Sequence, residues 1–104
     1  MTDINKGEIG VPLRINLGED ISTATETIII AQPEVGTTKE FVATVPNTNV
    51  TVDGVTLLAN EYAEYTTLTE EDLDYVGRWR MKLKATFSST DIAQTNYVKF
   101  RVLA

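Results

Sequence analysis

Residues 69–87 read "TEEDLDYVGRWRMKLKATF", an acidic cluster that gives way at a glycine to alternating cations and large apolar side chains. A period of two places successive side chains on opposite faces of an extended strand. Trp79, Met81, Leu83, Ala85 and Phe87 therefore share one face, and Arg78, Arg80, Lys82, Lys84 and Thr86 the other. One face needs a core and the other needs water, as in a sheet covered on one side only. Just upstream, Thr69 is a good N-cap with Asp72 three residues on. Leu68 and Leu73 are spaced as a hydrophobic staple, and Glu70, Glu71 and Asp72 face the positive end of the turn's dipole. The spacing predicts one short helical turn, stopped by Gly77.

Outward from this stretch, strand signals dominate. Val11, Leu13, Ile15 and Leu17 alternate with Pro12, Arg14 and Asn16, with Pro12 best suited to an edge. "LGED" makes a turn. "TETIIIAQ" (25–32) is β-branched and nearly continuous, as in a strand that crosses a core, and "PEVG" ends it. "KEFVATV" (39–45) and "EYAEYTTL" (61–68) read as further strands. In "NVTVDGVTLL" (49–58) an Asp53-Gly54 pair between apolar alternations is a hairpin signal. "SSTDIAQTN" reads as a polar loop, and in the last strand Val98, Phe100 and Val102 oppose Tyr97, Lys99 and Arg101. Seven or eight short strands at hairpin spacing predict an all-β antiparallel β-sandwich, with a small barrel as the alternative. A length of 104 residues suits one domain. Residues 9–104 are expected as that domain, and residues 1–8 as a candidate flexible arm.

Composition narrows the function classes. The chain has no cysteine, so no disulfide and no thiolate chemistry, and no histidine, the commonest general base and zinc ligand. "MTDINKGEIG" has no apolar h-region and no run of about 18 apolar residues occurs, so the expectation is a soluble product made in the cytoplasm. Serines and threonines lack a histidine to activate them, and no GxSxG elbow is present. Glu61 and Glu64, at odd spacing on a strand, point to opposite faces and form no acid–base pair. A calcium loop started at Asp72 would put Val76 and Leu83 at ligand positions, so that reading fails. Asn49-Val50-Thr51 matches a glycosylation pattern that matters only in a secretory setting. The expectation is no enzyme, no cofactor and no metal.

Charge is unevenly distributed. The total is −6, but residues 1–74 hold 14 acids and three bases, while residues 75–104 hold six bases and only Asp91. The acidic remainder opposes binding to nucleic acid or an anionic membrane. If the last two strands pair, Arg78, Arg80, Lys82, Lys84, Lys99 and Arg101 share one sheet face. Like charges close together across a pair of strands are unfavourable, so the face is read as a docking surface for an acidic partner, such as the acidic part of another copy. Tyr97, Tyr62 and Tyr65 are the aromatics expected at contacts, because tyrosine tolerates one wet end. Trp79 is expected in the core.

"LTEEDLDYVGRWRMKL" resembles the corner of an immunoglobulin-type sandwich, where a helical turn leads into a strand through a glycine, an aromatic and a core residue. Here these are Gly77, Trp79 and Met81, with tryptophan for the usual tyrosine and methionine where antibody domains have cysteine. Over nearly its whole length the chain is similar to small immunoglobulin-like domains of tailed-bacteriophage virions. These include the N-terminal domain of phage upper baseplate proteins and its stand-alone relatives. The residues that carry this are Gly7, Gly10, the "GEDISTAT" turn (18–25), Pro33, Asp72, Asp74 and Gly77; "PEVG" stands where the family has a shorter P-D-G turn. The resemblance implies an immunoglobulin-like fold with the helical turn before the penultimate strand. It also implies a non-enzymatic virion protein of a tail, baseplate or neck junction, present in several copies and bound to other virion proteins. Capsid decoration or a head fibre is the alternative within the same fold. A carbohydrate- or cell-surface-binding module for host attachment is the alternative outside it.

Overall fold

Strand β8 (Gly77–Ser88) runs for 12 residues, and its side chains alternate between core and surface from Trp79 to Ala85. The computed structural model describes residues 3–104. Before β8 come β1 (Ile4–Asn5), β2 (Pro12–Asn16), β3 (Glu26–Pro33), β4 (Lys39–Val42), β5 (Val50–Val52), β6 (Val55–Leu57) and β7 (Tyr62–Thr66). After it come β9 (Asp91–Gln94) and β10 (Val98–Leu103). The described residues contain no helix, and the chain is all-β with the layering of a sandwich.

The larger sheet has six strands in the order β1-β10-β8-β3-β4, with β9 also against β8. It is mixed, because β1 runs parallel to β10 through Ile4↔Val102 and Asn5↔Leu103. Met1 and Thr2, the start of the expected arm, lie outside the described residues. The smaller sheet pairs β2 with β7, and β5 with β6 make a separate hairpin. In that hairpin Asp53 (φ 52°) and Gly54 (φ 78°) both take the left-handed conformation demanded by a two-residue turn of this hand. The two sheets join where β4 ends. Ala43 N–H donates to Thr27 C=O at 2.9 Å in the larger sheet, and Thr44 N–H donates to Glu64 C=O at 2.9 Å in the smaller. One strand that switches sheets in this way makes a corner.

The core lies between the layers. Leu13, Ile15 and Ala63 of the smaller sheet meet Ile29, Ala31, Trp79, Met81, Leu83 and Phe100 of the larger. Each large aliphatic side chain sealed there contributes roughly 1.5–3 kcal/mol. Trp79 is 2 % exposed and stacks on Phe100 with ring centroids 6.0 Å apart. No buried polar side-chain atom among the described residues lacks a hydrogen-bond partner, as folding requires.

Two expectations change. The described residues form ten strands and not seven or eight, and the polar segment expected as a loop supplies one of them, β9. The reason is the length of β8. β10 covers only Gly77–Met81, so the second half of that edge needs another partner. Asp91–Gln94 supplies it, and Thr95 bridges the gap: Leu83 N–H donates to Thr95 Oγ1 at 2.9 Å, and Thr95 N–H to Leu83 C=O at 3.0 Å. With β9 interposed, β8 is no longer the penultimate strand.

Residues 69–73 form a hydrogen-bonded turn, with Asp72 N–H donating to Thr69 C=O at 3.2 Å. The Asp72 carboxylate closes the turn. It accepts from Leu68 N–H at 2.8 Å, Thr69 N–H at 3.3 Å, Thr69 Oγ1–H at 3.1 Å and Tyr65 O–H at 2.8 Å. Burial alone would raise the Asp72 carboxyl, but these donors together bring it below the ordinary aspartate value. The Tyr65 phenol moves the other way, to about 12, first through burial and then through its bond to Asp72. A depressed carboxyl stabilises the fold above its unfolded value, and that contribution is lost as pH falls through the folded one. Acid titration is therefore expected to weaken the wild type in the aspartate range, and Asp72→Asn to flatten that part of the profile. Urea midpoints between about pH 2 and 5 check this; an unchanged slope would exclude Asp72 as the cause.

Candidate docking face

The face of the larger sheet turned away from the core is built by register. Across β10 and β8, Lys99 lies directly opposite Arg80, and Arg101 directly opposite Arg78. These are two cation–cation pairs on one surface. Each is unfavourable by roughly 0.2–1 kcal/mol relative to neutral residues. Lys82 and Lys84 continue the row along β8, with Gln94 of β9 beside Lys84. The structure thus brings all six cations expected from the sequence onto one face, with Tyr97 among them.

Partial compensation is visible. The Arg80 guanidinium sits over the Tyr97 ring at 4.0 Å from its centroid, and Lys82 Nζ lies 5.1 Å from the same centroid. Arg80 Nε–H also donates to Gln32 Oε1 at 2.8 Å. Arg101 pairs with Asp3 at 3.0 Å, an exposed ion pair of small stabilising value. Among the described residues Arg78, Arg80, Lys82, Lys84 and Lys99 make no ion pair. Where β3, β8 and β10 meet, a cleft of about 590 Å³ is lined by Arg78, Arg80, Lys99 and Arg101 together with Gln32 and the two acids Asp3 and Glu34. Such a cleft offers donors and positive charge to carboxylates. It contains no nucleophile–base pair, and no group of acidic side chains placed to hold a metal occurs among the described residues.

Tyr62 and Tyr65 do not join this face. Tyr62 is 2 % exposed because its O–H finds the Thr48 carbonyl at 3.0 Å, which lets a polar-tipped ring be sealed. Tyr65 is half-buried, stacks on Phe41 at 4.4 Å and is tied to Asp72. Only Tyr97 of the three is exposed.

Sequence reasoning missed the neighbours on β3 and β4. "TETIIIAQ" is not buried throughout: Thr27, Ile29 and Ala31 point inward, while Ile28, Ile30 and Gln32 lie on the outer face, half-buried. The signal was present in the small residues Thr27 and Ala31, which suit a packed inner layer, but three consecutive isoleucines hide it. Val42, opposite Ile28, and Ile92 on β9 extend the apolar part of the face. Compared with known proteins, the chain matches no family model, no curated protein and no solved structure.

Proposed function

We propose that the chain is an immunoglobulin-like structural module of a tailed-phage virion, held at a tail, baseplate or neck junction by protein–protein docking, in several copies and without catalysis. The observation that carries the docking reading is the pair of like-charge contacts, Lys99 opposite Arg80 and Arg101 opposite Arg78, on a face where five cations lack an ion pair among the described residues. A surface that is electrostatically unfavourable alone gains most when an acidic partner covers it. The immunoglobulin-like reading is supported by the corner before β8. The Trp79 indole N–H donates to Tyr75 C=O at 2.8 Å, and Trp79 and Met81 enter the core at alternate positions after Gly77. The turn closed by Asp72 takes the place of the family's helical turn. Repetition by symmetry in a particle multiplies contacts that are weak singly.

Arg80→Glu combined with Lys82→Glu is expected to leave the monomer folded, because both side chains lie on the outer face. The same double variant is expected to be strongly depleted from assembled particles. Mass spectrometry of purified virions against an unaltered virion protein measures the occupancy. Wild-type occupancy would overturn the docking reading.

A further inference from the structure

The outward face of the β9–β8–β3–β4 region is cationic on one side and apolar on the other. Ile28 lies between Lys84 of β8 and Val42 of β4, and Ile30 between Lys82 and Glu40. Val42 is 74 % exposed, and Ile92 on β9 is 46 % exposed. An apolar strip of this kind favours a covering partner, and the bordering lysines select one that is acidic.

The same chain carries a segment of matching chemistry. In the turn between β7 and β8, Leu68 is 69 % exposed and Val76 is 42 % exposed. Between them, Glu70 and Glu71 project into water and make no ion pair among the described residues. An acidic turn bounded by two apolar side chains complements a lysine pair bordered by an apolar strip. Within its own copy the turn is held against β4 instead: Lys39 Nζ donates to Glu71 C=O at 3.0 Å and pairs with Asp74 at 3.4 Å, and among the described residues neither Glu70 nor Glu71 pairs with Lys82 or Lys84.

We infer that the face formed by Lys82, Lys84, Ile28, Ile30 and Val42 receives the Leu68–Val76 turn of a second copy, an inference that rests on the docking reading above and gives it a partner. The contact joins two different surfaces, so it is heterologous. It builds a ring if the rotation closes and an open row if it does not. Charge sets the register of the contact, and the apolar side chains on both sides resist its dissociation.

Sedimentation of the purified chain tests this. The wild type is expected to show a mass that rises with concentration at about 0.05 M salt and falls towards the monomer near 1 M, where screening is strongest. Lys82→Glu with Lys84→Glu, and separately Glu70→Lys with Glu71→Lys, are each expected to remain monomeric. Mixed in equal amounts, the two variants are expected to associate again, since the acidic turn of the first meets the lysine face of the second and the lysine turn of the second meets the glutamate face of the first. A monomeric wild type or a mixture that stays monomeric would overturn the inference. Circular dichroism verifies folding. If a reversal does not fold, Lys82→Gln with Lys84→Gln and Glu70→Gln with Glu71→Gln replace it, with weakened self-association expected for each. A monomeric wild type alongside depletion of the Arg80→Glu/Lys82→Glu chain from particles would remove self-docking and leave the virion reading standing. Self-association with unchanged particle occupancy would do the reverse.

Discussion

Trp79→Ala is expected to remove about 3–5 kcal/mol of folding stability, the range for truncating a fully buried large aromatic. A domain of this kind has about 5–15 kcal/mol in total, so the variant is expected to be largely unfolded at moderate urea. Two losses combine. The indole leaves a void beside Phe100, its stacking partner, in the layer that also holds Met81 and Leu83. The Tyr75 carbonyl loses the Nε1–H donor that ties the bend before β8 to the core. Trp79→Phe separates these contributions, because phenylalanine fills much of the volume but donates nothing; it is expected to lose about 1–2 kcal/mol beyond its smaller size. Trp79 is the only tryptophan, so urea unfolding must be followed by circular dichroism. A loss below about 1 kcal/mol for the alanine variant would mean that the indole is not sealed between the sheets.

Gly77→Ala is expected to be the most damaging single methyl addition among the described glycines. Gly77 has φ 139°, in a region that side-chain-bearing residues rarely enter, and a Cβ there would meet Tyr75 Cε1 at 2.8 Å. The backbone conformation alone costs about 1–3 kcal/mol for a non-glycine residue, and displacing the Tyr75 ring adds to it. Gly54→Ala is the control, because Gly54 also has positive φ but a Cβ there meets nothing within 4 Å. It is expected to lose only about 1–2 kcal/mol. Introducing Gly77→Ala into a Tyr75→Ala background should recover the steric part, since neighbouring substitutions couple when one relieves the other. Equal losses for Gly77→Ala in both backgrounds, by denaturant midpoint, would exclude the contact with Tyr75 as a source of destabilisation.

Part of the docking face is legible in the amino-acid order alone. Arg78, Arg80, Lys82 and Lys84 share a side because a strand alternates, and no tertiary contact is needed to place them together. Lys99 and Arg101 join them only if β10 pairs with β8, and the register that sets Lys99 opposite Arg80 is a property of that pairing. Tyr97 reads as a contact residue from its chemistry, but its position beneath the Arg80 guanidinium depends on the break between β9 and β10 that Thr95 bridges. The isoleucines of β3 mislead for a definite reason. A run of three apolar residues carries no period. That Ile29 points inward, and Ile28 and Ile30 outward, is decided by Ala31↔Met81 and Thr27↔Ala85 pairing and by the small residues fitting inside.

Neighbouring residues are enough to specify the all-β class, the extended conformation and two-faced character of β8, the Asp53-Gly54 hairpin and the sealing of Trp79. Each follows from alternation along a strand or from the φ that a turn demands, and both act over a few residues. Long-range packing decides the rest: β9 filling the bare half of the β8 edge, the parallel seat of Ile4–Asn5 on β10, the tethering of Tyr62 and Tyr65, and the apolar strip beside the lysines. These depend on which backbone edges are left unpaired once the long strands are in place. An unpaired edge or an uncovered ring recruits whatever distant segment can satisfy it, and short-range pattern holds no record of that distance.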